Sequence, residues 1–82
     1  MSSISEKSLL GKQIAEKRKI LRDIYGGVMT PAQLDRELGR SKGGGNIWAR
    51  MVGLECIMVS EKRRGYETDR VAEYIVRGRM AV

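Results

Sequence analysis

The side chains best suited to chemistry in this chain are cations, and they gather in two places. Lys62, Arg63 and Arg64 are consecutive, between Glu61 and Gly65. Three positive charges at a turn can neutralise two or three backbone phosphates of a nucleic acid, and arginine also fits a narrow minor groove. A solvated turn kept soluble by its charge is the bland alternative. Arg40, Lys42, Asn46 and Arg50 form the second group. Arginine and lysine pair with N7 and O6 of guanine and asparagine with adenine, so these four suit base edges in a major groove. An ordinary polar helix face would carry the same residue types.

Other chemistries find less material. The chain has no His and a single Cys. Without His most general-base and triad schemes fall away, and one Cys supports neither an internal disulfide nor a Cys₂His₂ or Cys₄ zinc site. Gly43-Gly44-Gly45 invites comparison with a phosphate-cradling loop. A P-loop, however, needs Lys-Ser or Lys-Thr after its last glycine and a buried strand before the loop. Here Asn46-Ile47 follows and a helical pattern precedes. Glu16 with Asp23, and Glu67 with Asp69, read as surface pairs for neighbouring arginines rather than as acid–base or metal-binding carboxylates. The expectation is a protein with no enzymatic activity, no cofactor and no metal.

Composition sets the frame. Eighty-two residues make one domain, 1–82, with a modest core, and 41% apolar against 32% charged residues is globular rather than disordered. Sixteen basic against ten acidic side chains leave a net charge of +6, which points to polyanionic partners, nucleic acid first. No apolar run approaches the ~20 residues of a membrane span, and the N-terminus lacks a signal-peptide core, so the expected location is cytoplasmic.

Elements must hold the two basic groups in place. Ser3 and Glu6 have capping-box spacing and open an amphipathic helix over residues 5–25, stopped by Gly26-Gly27. Leu10, Ile14, Leu21 and Ile24 recur at helical spacing, with Leu9 and Ile20 packing inward beside them. This stripe is longer than a small core requires, so it can also pair two copies of the chain or dock another protein. On the wet side, Lys17-Arg18-Lys19 offers either solvation or a further DNA contact. Thr30-Pro31 with Gln33 combines an N-cap hydroxyl, proline at N1 and a capping-box amide, predicting a helix over 31–38 that buries Leu34 and Leu38. Gly39 suits its left-handed cap.

A third helix through Val52 follows, because Ile47 with Met51 and Trp48 with Val52 share faces; Trp48 is read as core and Gly53 as the stop. Then the period changes. Cys56-Ile57-Met58-Val59 reads as a strand with Cys56 a buried small hydrophobe, Glu61 to Gly65 as a hairpin tip, and Tyr66-Glu67-Thr68 as the return strand. Thr68 should cap a last helix, Asp69 to Arg77, burying Val71, Ala72 and Ile75 with Tyr74 beside them, and Gly78 should close it.

Two helices on a glycine turn followed by a basic hairpin form a helix-turn-helix with a wing. Residues 29–77 resemble the excisionase and MerR-like winged-helix group of small DNA-binding proteins. The resemblance rests on Met29-Thr30-Pro31, Leu38-Gly39, Ser41, Trp48 and Gly53-Leu54. It continues through Ile57-Met58-Val59, the arginine-rich tip, and Tyr66-Glu67-Thr68-Asp69 leading to Val71 and Tyr74-Ile75. It implies a mainly α fold: a small winged helix-turn-helix over 29–78 with one two-stranded β-hairpin, preceded by the extra N-terminal helix. It also implies duplex-DNA binding of the excisionase or transcription-regulator type, as in phages and mobile elements, with the Asn46–Val52 helix in the major groove and Lys62–Arg64 on backbone.

One departure stands out. Similar sequences carry polar and β-branched residues where this chain has Gly43-Gly44-Gly45. Glycine disfavours helix, so the third helix is expected to start at Asn46, with the glycine N–H groups open to phosphate. The scarcity of base-reading side chains also keeps a second expectation open: a phage or mobile-element inhibitor or adaptor that retains the winged fold and binds a protein.

Overall fold

The computed structural model describes the backbone of residues 2–80 and the side chains of residues 9–78. Helix α1 (Ser2–Tyr25) leads to a short strand β1 (Val28–Met29), then helices α2 (Pro31–Leu38) and α3 (Gly44–Val52). A hairpin of β2 (Ile57–Ser60) and β3 (Arg63–Glu67) follows, and α4 (Thr68–Met80) ends the described chain. The fold is mainly helical with a small antiparallel sheet of order β1-β3-β2. The sequence alone predicts two strands. The third, β1, pairs Val28 with Glu67 and Met29 with Tyr66. It closes the open edge of β3 and carries fully buried Met29 into the core.

The core is one cluster: Leu21, Met29, Leu34, Ala49, Leu54, Tyr66, Val71 and Ala72. Trp48, Tyr25, Leu38, Tyr74 and Ile75 pack against it, so Trp48 is a core residue as expected. Helices α1 and α4 run antiparallel, clamped by Arg22 on Asp69 at 2.7 Å and Arg18 on Glu73 at 3.8 Å. Ile14 and Val76 extend this seam. The apolar stripe of α1 therefore divides. Ile14 and Leu21 are buried, whereas Leu9, Ile20 and Ile24 face solvent. Leu9 and Ile20 were expected inward; α4 covers only one side of α1, and they lie off that side. The capping box of Ser3 and Glu6 lies outside the described side chains.

Helix α2 forms as its signals dictate. Thr30 Oγ1 accepts from Gln33 N at 3.1 Å, while Thr30 N donates to Gln33 Oε1 at 2.9 Å. At the other end Gly39 takes φ +65 and its N–H returns to Arg36 O at 3.1 Å, which satisfies a terminal carbonyl.

Several boundaries differ from expectation. Helix α3 starts at Gly44, two residues before Asn46. Arg63 and Arg64 belong to β3, so the hairpin tip is only Glu61-Lys62. Cys56 lies ahead of β2 and is exposed rather than buried. Thr68 does not cap α4 from outside: it is fully buried, and its hydroxyl donates to Gly26 O at 2.7 Å, tying the start of α4 to the end of α1. Gly78 does not end α4, which continues to Met80. A helical glycine lowers propensity without breaking hydrogen bonds, and the packing of α4 on α1 carries the helix past it.

Candidate functional site

The start of α3 is organised by a side chain from α2. Asp35 accepts from Gly43 N at 3.0 Å and from Gly45 N at 2.6 Å. Gly44 N donates to Ser41 O at 2.8 Å. All three glycine N–H groups are thus taken inside the chain. The expected anion at this helix start is an internal carboxylate, not a phosphate, and that is why the helix begins early. An acid one helix away supplies the cap that Gly43 cannot, and its charge complements the positive end of the helix dipole.

Glycine is also needed here for space. A β-carbon on Gly45 would lie 2.6 Å from Asp35 Oδ1 and 2.9 Å from Leu34 Cγ. One on Gly44 would lie 2.7 Å from Arg40 Cβ. The bare backbone lets α3 press against α2 and lets the aliphatic stem of Arg40 cross the first turn of α3. Arg40 and Lys42 consequently stand, exposed, beside the N-terminal end of α3.

Asn46 and Arg50 follow one turn apart, and the hairpin meets them. The Tyr66 hydroxyl donates to Asn46 Oδ1 at 2.6 Å. Arg64 and Tyr66 are two apart on β3 and share a face. Asn46, Arg50, Arg64 and Tyr66 border one open hollow of about 470 Å³, floored by Ala49 and Leu54. Three of the expected site residues are therefore brought together. Asn46 has a second task, because its carboxamide oxygen holds the hairpin to α3 and leaves its amide N–H groups as the free donors.

The remaining expected residues lie around this centre. Lys62 is at the hairpin tip. Arg63 lines a neighbouring, mostly apolar hollow with Val28 and Val59, which Arg64 and Pro31 also border, whereas Arg64 alone of the two reaches the hollow beside α3. Lys62, Arg63 and Arg64 are thus not one tip cluster: both arginines lie in β3, and strand alternation turns only Arg64 toward α3. Of the basic run in α1, Lys17 approaches Glu37 at 4.0 Å and Arg18 pairs with Glu73.

Sequence reading missed Asp35 and Tyr66. No local spacing marks Asp35, since its partners lie eight and ten residues on. Tyr66 had a usable signal: a tyrosine in a half-buried strand needs a partner for its hydroxyl.

Burial, first, holds the Tyr66 phenol above its ordinary value of 10.0; the neighbouring Cys56 and Asp35 push the same way, and Arg50 and Arg64 oppose. The folded state therefore favours the protonated phenol. The stability this supplies is complete below pH 10 and is lost as pH rises beyond it. Tyr66→Phe is expected to lower stability near neutral pH by about 0.5–1.5 kcal/mol for the lost hydrogen bond. Melting temperatures of both proteins from pH 8 to 11 should converge at the alkaline end; a constant gap would rule out a titrating Tyr66 as the source.

Compared with protein-family models, with curated proteins and with solved structures, the chain matches none of them.

Proposed function

We propose that the chain is a small winged helix-turn-helix protein that binds duplex DNA, of the excisionase or transcription-regulator type, and acts by binding rather than catalysis. In this reading α2 and α3 are the helix-turn-helix, α3 lies in the major groove, and the β2–β3 hairpin is the wing. The chain would work in the cytoplasm; among the described residues no helix is long and apolar enough to cross a membrane.

One observation carries the reading: six cations that form no ion pair with a described residue stand on the α2–α3 turn, α3 and the hairpin, though Lys12, Lys19, Arg36 and Arg70 elsewhere form none either. The ion pairs among described residues tie α1, α2 and α4 together through Lys17, Arg18, Arg22 and Arg77. Arg40, Lys42, Arg50, Lys62, Arg63 and Arg64 form none of them. Unpaired cations on the α2–α3 turn, α3 and the hairpin suit an external polyanion. A mobility shift on random duplex DNA across a salt series tests this. About four neutralised phosphates would give a log–log slope near −3.6. Retention that ignores salt, or no retention at low salt, would remove the reading.

A second reading, a protein-binding inhibitor or adaptor, is favoured by the apolar residues exposed on the same side: Ile47, Met51 and Met58. Affinity capture beside the mobility shift separates the two.

Pairing of two copies through α1 belongs to the DNA reading, because adjacent half-sites reward a dimer. Leu9, Ile20 and Ile24 are the residues free for it. An Ile20→Asp, Ile24→Asp variant should stay folded, sediment as a monomer where the parent is a dimer, and bind DNA more weakly. A monomeric parent would end the pairing proposal.

A further inference from the structure

The outward stripe of α3 is not what a purely electrostatic grip requires. Gly45 and Ala49 face the core. The opposite side carries Arg50, Ile47 and Met51. Ile47 is 58% exposed and Met51 76%, and they stand one turn apart. Exposed cations flank them on α3, with Arg40 and Lys42 at the start of the helix and Arg50 on the same face; the hollow beside Arg50 adds Arg64 against one acid, Glu55.

A helix entering a major groove meets a floor of hydrogen-bonding groups with one apolar feature, the C5-methyl of thymine. Ile47 and Met51 have no groups that could replace the water on guanine, cytosine or adenine edges. Facing those edges they would strip hydration without compensation, at a cost in affinity. Facing thymine methyls they would bury carbon against carbon. Such a pair therefore discriminates, and it does so in favour of thymine.

We infer that α3 reads thymine through Ile47 and Met51, with Arg50 taking guanine next to them. The inference rests on the DNA-binding reading and names the sequences which that surface prefers. The cations around the pair favour DNA over a protein partner, whose contact surface would have to be both apolar at its centre and acidic at its rim.

The test starts by selecting duplexes from a random 20-base-pair pool with the full chain at ~0.15 M salt. Enriched sequences should contain a recurring thymine step. The selected duplex is then compared with the same duplex carrying deoxyuridine for thymine, which removes the methyl and keeps the pairing. Each lost contact should weaken binding about fourfold, the factor corresponding to about 0.8 kcal/mol per buried carbon. An Ile47→Ala, Met51→Ala variant, altered only at exposed positions, should bind both duplexes equally.

Equal affinity of the parent chain for the thymine and uracil duplexes, with the salt dependence intact, would overturn the inference and leave DNA binding standing. So would enrichment without thymine, or a double variant that still prefers the methylated duplex. Failure to retain any duplex at low salt would remove both readings and assign the apolar pair to a protein partner.

Discussion

Gly45→Ala is expected to lower stability by about 3 kcal/mol, although alanine is the better helix former. The new methyl would meet Asp35 Oδ1 at 2.6 Å, Leu34 Cγ at 2.9 Å and the backbone N of Asp35 at 3.1 Å. Leu34 is fully buried and has nowhere to move. If the Asp35 carboxylate retreats instead, the hydrogen bonds from Gly43 N and Gly45 N go with it. Overpacking costs about 1–3 kcal/mol, and each hydrogen bond to a charged group contributes about 1.5–3. In a domain this small a loss of about 3 kcal/mol by either route corresponds to a fall in melting temperature of about 12–24 °C. Gly11→Ala in α1 is the control. Apart from the helix's own backbone, no described atom lies within 4 Å of a β-carbon there, so the same change should stabilise by about 0.5–1 kcal/mol. Thermal melts of the two variants should move in opposite directions. A Gly45→Ala protein at least as stable as the parent would mean that α2 and α3 do not approach as closely as described.

The contrast between these glycines shows where the sequence was legible. Most signals that act within one turn read correctly, Thr68 and Gly78 excepted. Thr30, Pro31 and Gln33 start α2, Gly39 ends it, and Gly53 ends α3, because each cap is closed by residues three or four positions away. The beginning of α3 did not read, because its cap is Asp35, on another helix. Strand β1 is two residues long, too short for any alternation to register, and exists because β3 offers it an edge. The stripe on α1 was visible as periodicity, but which of its residues are covered depends on where α4 lies, so Leu21 is buried and Ile20 is not. At the site the cations were legible as charge. Their division between two faces was not, because moving the tip from five residues to two placed Arg63 and Arg64 in a strand.

That division sets the largest expected effect on binding. Arg40, Lys42, Lys62 and Arg64 are the phosphate contacts of the proposed mode, with Arg50 turned to base edges. Four contacts predict a loss of about 150-fold in affinity between 50 and 200 mM salt, from a slope of ~0.9 per phosphate. Replacing all four with Ala should leave a slope shallower than about −1, and less than about a fourfold loss over the same range. The side chains of Arg40, Lys42, Lys62 and Arg64 are all exposed, so the variant should fold. Strand alternation then makes a finer distinction. Arg64→Ala alone should flatten the slope by about one, whereas Arg63→Ala, at a residue outside the hollow beside α3, should change it by less than about half a unit. Equal effects of the two would mean that the hairpin tip is gripped from both sides, and that DNA lies along the hairpin end rather than across the α3 side. A slope unchanged by all four substitutions would detach Arg40, Lys42, Lys62 and Arg64 from DNA and place its phosphate contacts on another face of the fold.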